Sequence, residues 1–255
     1  MKMTTLQKNL HKILPDFGVC SFAELKPHLL ACRAASRLPA GAKSVIVAVF
    51  PYLLPEEYYV NRNVARFAAV PDYHKIVLER LEKACDLFRC HYPEEEFVSF
   101  TDNSPIPEKL AAQLCGLGIA GQNSLFIHPL WGSWVFLGCI VCTINIEQLT
   151  INNREKYNIS CHKCKACIKA CPAEAIIDGS IDKTKCLSFR SQGRCADRDE
   201  LAKLSGVLWG CDICQEVCPM NNGVPAEPLA EFITDARPVF DPLAKERVWA
   251  WRVSP

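Results

Sequence analysis

No stretch of these 255 residues is apolar for the roughly 20 positions that crossing a bilayer requires. The N-terminal MKMTTLQKNLHKILPDF lacks an unbroken apolar segment too, so it reads as an amphipathic helix rather than an export signal. An excess of charge is missing as well. Lys and Arg number 29 against 28 Asp and Glu, a formal net charge of +1 that neither demands nor excludes a nucleic-acid partner. Low-complexity tracts are absent, and the only internal repeat is a doubled cysteine motif. With 49% hydrophobic and 22% charged residues, the expectation is an ordinary soluble, cytoplasmic protein without membrane contact.

Cysteine is what the chain has in excess, with 16. A disulfide scaffold is the first reading to discard, because export signals are missing and a chain of this length builds a core without staples. Nine cysteines fall between Cys161 and Cys218 at metal-binding spacings. The other seven (Cys20, Cys32, Cys85, Cys90, Cys115, Cys139 and Cys142) sit in apolar surroundings, where a free thiol behaves as a small hydrophobe and most are expected to be core.

Before the cysteine-rich stretch, periodicity predicts mixed helix and strand. Lys43–Tyr52 is a β-branched apolar run closed by proline, hence a buried strand. Asp72 is placed to cap a helix through Cys90 that shows Ile76, Val77, Leu81, Ala84, Leu87 and Phe88 on one face. Phe97–Thr101 reads as a short strand, Ser104 and Pro105 as the start of a helix to Cys115, and Ser133–Ile146 as another strand. The expected organisation is an α+β domain over 1–150, a cluster-binding domain over 151–222, and a tail over 223–255 packing back on the body.

The run CHKCKACIKACP spaces Cys161, Cys164, Cys167 and Cys171 as C-x2-C-x2-C-x3-C-P. That is the bacterial ferredoxin spacing, in which three thiolates wrap one four-iron cluster and the fourth reaches a second. GCDICQEVCP supplies Cys211, Cys214 and Cys218, with Leu208 where a further cysteine would stand. By crossover, cluster 1 takes Cys161, Cys164, Cys167 and Cys218, and cluster 2 takes Cys171, Cys211 and Cys214. One place stays open for Cys186 or Cys195, and spacing does not choose between them. Zinc binds C-x2-C pairs tetrahedrally but does not explain triple cysteine runs ending in Cys-Pro.

Several segments together resemble the epoxyqueuosine reductase family, cobalamin- and iron–sulfur-dependent enzymes of tRNA modification related to reductive dehalogenases. The carriers are LPAGAKSVIVAVFPY, ARFAAVPDYHKIVLERL, the TDN…LCGLGIAGQNSLFI segment, GSWVFLG and the two cysteine runs, spanning Leu38 to Asn222. The resemblance implies a nitroreductase-like cobalamin-binding fold followed by a two-cluster ferredoxin-like domain. It implies a flavodoxin- or ferredoxin-type electron donor and a tRNA substrate; the chain is expected to be a monomer. It makes Asp102 the proton donor and Cys186 the eighth cluster ligand, leaving Cys195 spare. Arg66, Asp72, Tyr73, His74, Gly121, Gln122, Ser133 and Trp134 would lie around the corrin.

Taken alone, an aspartate between strand and helix is usually a turn residue, and donating a proton near neutral pH would require a raised pKa. The glycines at 116, 118 and 121 lack the Lys-Ser/Thr of a phosphate loop and are expected to let backbone approach a bulky cofactor. Departures from the family pattern bear on substrate. Gln122 stands where the family has lysine, and CLSFRSQGRC replaces its usual stretch after the Cys186 position. A shorter N-terminal region and no helical-repeat tail for tRNA are also expected. The competing functional class is a dicluster electron-transfer protein, or a redox-sensing module, without corrin.

Overall fold

Val45 to Phe50 are at most 1% exposed, and this continuous apolar run forms the interior of a sheet. The structure, a computed structural model, describes residues 4–149, 157–193 and 196–240. Two compact units interleave along the chain. Among the described residues, one unit takes the segments up to Phe50, His74–Ile119 and Phe136–Ile159. The other takes Pro51–Tyr73, Ala120–Val135 and the chain from Ser160 onward.

The first unit holds a four-stranded sheet in the order β1-β2-β4-β3, with β1 Asp16–Ser21, β2 Ser44–Pro51, β3 Phe97–Phe100 and β4 Val135–Cys142. β1 pairs antiparallel with β2, Asp16 opposite Val49, and β3 pairs antiparallel with β4, Phe97 opposite Cys142. The two inner strands, β2 and β4, carry the longest apolar runs because both their faces are covered. Helix α2, Tyr73–His91, lays Val77, Leu81, Ala84, Cys85 and Phe88 into the core, with Ile76 and Leu87 only half-buried. Gly138 of β4 lets that helix approach. A Cβ there would sit 2.8 Å from both Leu81 and Val77.

Two sequence expectations shift here. The N-terminal helix α1 is only Thr5–Leu10, started by a reciprocal Thr4–Gln7 capping box, and Asp16 already belongs to β1. The helix expected from Ser104 begins instead at Glu108, as α3, Glu108–Leu114. Ser104 Oγ accepts the Ile106 N–H at 3.0 Å, closing a local turn rather than capping a helix. Of the seven scattered cysteines, Cys20, Cys85, Cys115, Cys139 and Cys142 are buried, Cys32 is half-buried and Cys90 is exposed.

In the second unit, helix α4, Ala166–Ala170, packs against helix α5, Ile213–Glu216. The tail folds back within this unit: Leu229 N–H donates to the Pro51 carbonyl and Arg237 N–H to that of Ala69. The expected tail beyond residue 240 and Cys195 lie outside the described residues. His128 is buried, stacked on Trp131 at 4.5 Å, and its Nδ1 accepts the Leu130 N–H at 3.2 Å. Burial holds its pKa down at about 4.

The unfolded chain therefore binds a proton at this histidine before the folded chain does. Stability from His128 is present above pH 6.5 and lost as pH falls toward 4, at up to about 1.4 kcal/mol per pH unit. Between pH 7 and 5.5 the wild type should lose about 1 kcal/mol more than His128→Phe in denaturant titrations under anaerobic conditions. Equal losses would show that this ring does not carry the dependence.

Candidate cluster centre and acid–base group

The loop that carries the first cysteine run curls through two left-handed non-glycine residues, Lys163 at φ 50° and Lys165 at φ 61°. Such backbone is costly for residues with a Cβ and persists where surrounding groups over-determine it. Here it turns Cys161 and Cys164 toward the start of α4, which carries Cys167 and delivers Cys171 one turn later. The second run starts from Gly210 at φ 78°, where a Cβ would lie 2.4 Å from that of Ala65. Helix α5 then presents Cys214, and Cys218 follows before Pro219.

Cys161, Cys164, Cys167 and Cys218 line one concavity of about 310 Å³, partly open to solvent, together with Gly121, Gln122 and Met220. Burial raises the Cys167 pKa, and the charges of Cys218, Cys161 and Cys164 add to it. Cys218 is raised by burial and again by Cys161 and Cys164. A second set gathers apart from these. Burial pushes Cys211 up to about 11, with Asp212, Cys186 and Cys171 contributing, and Cys214 up to about 12, with Cys211 and Cys186 contributing. Cys167 also acts on Cys214, so the two sets are neighbours.

Two thiols of each set, Cys167 with Cys218 and Cys211 with Cys214, are thus held toward their protonated form by burial and by the cysteines beside them. Cationic iron reverses that balance, since metal-bound thiols are deprotonated outright. Among the described residues, no trio of His, Cys, Asp or Glu is arranged to hold a single metal ion. The donor chemistry, four sulfurs per set with both sets adjacent, fits two four-iron clusters.

The residues expected around a corrin are divided between the units. Ser133 and Trp134 are buried and engaged by protein. Ser133 Oγ donates to Gln215 Oε1 at 2.9 Å, its N–H donates to Asn221 Oδ1 at 2.8 Å, and Trp134 meets Tyr52 edge-on at 6.2 Å. Gly132, at φ 58°, keeps this clamp closed, because a Cβ would fall 2.1 Å from Asn221 Oδ1. Gln122 Nε2 donates to Asp178 at 2.9 Å, and buried Asn123 donates to the Cys214 carbonyl at 3.3 Å. The space beside Gly121 is filled by Asn123 and Ile127. Arg66 stacks over Tyr59 at 4.2 Å and pairs with Glu56 at 2.9 Å.

Asp212, inside the second cysteine run, was invisible to a reading focused on ligands. Its side chain is 1% exposed, paired with Arg62 at 2.7 Å and accepting the Arg66 N–H at 2.8 Å. Burial still pushes its pKa up to about 6.

In the first unit, His74 Nε2 lies 3.0 Å from Asp102 Oδ2, while the half-buried Asp72 and Tyr73 belong to the second unit's segment Pro51–Tyr73. Asp102 is 60% exposed by side chain and sits at φ 46°, followed by Asn103 at φ 27°. Strain of this kind costs on the order of 1–3 kcal/mol per residue and clusters at functional sites. Glu108, at the start of α3, completes the group. Its Oε1 is sealed from solvent without a hydrogen-bond partner. Burial, then the charge of Asp102, pushes its pKa up to about 8, offset in part by the nearby Asp102 backbone and by His74. Nothing in the local sequence around Ser104 and Pro105 sets Glu108 apart.

Residues 160–221 match the family model "4Fe-4S double cluster binding domain", and residues 33–103 match "Epoxyqueuosine reductase QueG, DUF1730". The epoxyqueuosine reductase of Francisella cf. novicida is 32% identical over 229 residues, 84% of this chain and 63% of that protein. This chain belongs to the epoxyqueuosine reductase family.

A crystal structure of epoxyqueuosine reductase with an epoxyqueuosine-modified tRNA-Tyr stem loop shares the fold. Its TM-score is 0.74 at 22% identity, covering 91% of this chain and 68% of that one. A reductive dehalogenase structure, described as suggesting a mechanism for B12-dependent dehalogenation, scores 0.53 at 14% identity over 85% of this chain and 31% of the other. The α+β expectation holds against these folds. The chain spans 63%, 59% and 51% of three of its curated relatives, less than two thirds of each.

If Cys186 is the eighth ligand, Cys186→Ala should lose about half of the protein's iron after anaerobic reconstitution, while Cys195→Ala keeps all of it. Iron and sulfide assays decide this. Iron loss confined to Cys195→Ala would reverse the assignment.

Proposed function

We propose that this chain is an oxidoreductase of the epoxyqueuosine reductase type, working in the cytoplasm as a monomer. It would pass electrons through two four-iron clusters to cobalamin and remove the epoxide oxygen of epoxyqueuosine in tRNA. The observation that carries this reading is the sorting of eight cysteines into two adjacent sets of four, in a chain of this family. Cluster 1 is held by Cys161, Cys164, Cys167 and Cys218, and cluster 2 by Cys171, Cys186, Cys211 and Cys214.

Cluster 1 has the more accessible rim. Cys164 is exposed, and Lys163, Lys165 and Lys169, close to it in sequence, are exposed as well, a basic stretch suited to an acidic flavodoxin- or ferredoxin-type donor. Cluster 2 is flanked by Asp212 and Glu216 instead, so electrons enter where positive charge attracts the donor and move toward the more enclosed set.

Removing an epoxide oxygen as water consumes two electrons and two protons. Cobalamin, when bound, supplies a reduced metal nucleophile that few side chains could replace. The exposed Asp102 and its neighbour His74 are the residues of this chain that would face it; the fit rests on the family and on an acid–base pair at hydrogen-bond distance. Asp102 delivers a proton to the departing oxygen, and His74, 3.0 Å away, orients and recharges it.

Asp102→Asn should retain both clusters and the corrin spectrum but turn over epoxyqueuosine-containing tRNA about 100-fold or more slowly, the usual worth of a positioned acid. Normal turnover would remove Asp102 from the mechanism. A wild-type protein that binds no cobalamin after cluster reconstitution would leave the dicluster electron carrier as the function.

A further inference from the structure

Arg62 lies outside both cysteine runs and enters no step above, yet its guanidinium forks between two carboxylates of the second run. Its Nη1 donates to Asp212 Oδ2 at 2.7 Å and to the Val64 carbonyl at 3.1 Å, and its Nη2 donates to Glu216 Oε1 at 2.6 Å. Asp212 stands next to Cys211, and Asp212 and Glu216 flank Cys214 on either side. The Asp212 side chain is 1% exposed, so its charge is tolerated there only against a partner. Arg66 offers it a backbone N–H at 2.8 Å, but turns its own guanidinium to Glu56 at 2.9 Å and reaches Glu216 only at 3.5 Å. Oδ1 of Asp212 is sealed from solvent with no hydrogen-bond partner among the described residues, so the pairing with Arg62 falls on Oδ2.

The stretch that follows Arg62 also holds the loop. Leu208 N–H donates to the Asn63 carbonyl and Ala65 N–H to that of Trp209, both at 2.7 Å, and Val64 bridges Trp209 in parallel. We propose that Arg62 is a positioning residue for the cluster held by Cys211 and Cys214: it fixes their loop against residues 63–65 and offsets the charges of Asp212 and Glu216, thereby setting that cluster's reduction potential. This rests on the reading of Cys211 and Cys214 as ligands of one cluster. The potential of a four-iron cluster follows the net charge around it. An uncompensated anion nearby makes adding an electron harder, and a cation makes it easier. Arginine suits the task because its planar fork serves two carboxylates at once, which the single ammonium of lysine does not.

The test is a redox titration of the anaerobically reconstituted protein at pH 8, followed by electron paramagnetic resonance, on wild type, Arg62→Gln, Asp212→Asn and the double variant. Asp212→Asn should make one cluster about tenfold easier to reduce and Arg62→Gln about tenfold harder, each a shift of about 59 mV for a one-electron couple. The double variant should return to within about twofold of wild type, and the other cluster should stay put in all three. Shifts of the same sign in the two single variants, or no shift in either, would overturn the proposal, because a loop that merely loosened has no reason to answer the two charges oppositely. If Arg62→Gln does not fold, Arg62→Lys decides. With the charge kept and the fork lost, its reduction equilibrium should stay within about twofold of wild type while a chelator strips that cluster about tenfold faster. Unchanged iron release would overturn the positioning role. Iron analysis of Cys211→Ala runs alongside: if this variant keeps both clusters, the ligand reading falls and the proposal with it, whereas loss of one cluster together with unmoved potentials sinks the proposal alone.

Discussion

Repulsion among converging thiolates is the constraint on which the second unit depends. Cys167 and Cys218 in one set, and Cys211 and Cys214 in the other, sit where burial and the neighbouring cysteines oppose ionisation, so the apo arrangement is electrostatically unfavourable for the very form that binds iron. Cationic clusters resolve this, and binding free energy then becomes folding free energy for the loops involved. The left-handed turns at Lys163 and Lys165 and the glycine at 210 are the backbone's share of that bargain.

The clamp formed by Ser133, Gln215 and Asn221 and the hydrogen bond from Asn123 to Cys214 serve the same end. They tie 121–134 to the cysteine loops with buried polar contacts rather than with apolar packing. Buried hydrogen bonds of this kind cost more when broken than they contribute when made, which makes the arrangement stiff. Gln122 takes part in this framework through Asp178 and lines the first cysteine set.

Much of the fold was legible in the sequence because it follows period and composition. The strand at Ser44–Pro51 and the helix at Tyr73–His91 emerged within a residue or two of their predicted ends, since each has a strong apolar pattern and a clear breaker. β1 was not legible: DFGVCS is short, and its Gly18 is there because a Cβ would strike Cys115 at 2.9 Å, a tertiary reason that no local pattern shows. The start of α3 slipped by three residues because Ser104 and Pro105 form an acceptable cap and first turn in isolation while the chain uses them in a turn. The cysteine spacings were legible, but Asp212 and Glu108 were not. Carboxylates on a loop and in a first helical turn are ordinarily solvated, and only burial marks these two.

The central claim is that two four-iron clusters lie side by side in residues 160–221. Electron paramagnetic resonance of the anaerobically reconstituted, fully reduced protein tests it most directly. Two adjacent reduced clusters should give a spectrum broadened and split by magnetic interaction between them. The spectrum of one isolated cluster, or of two that do not interact, would contradict the account.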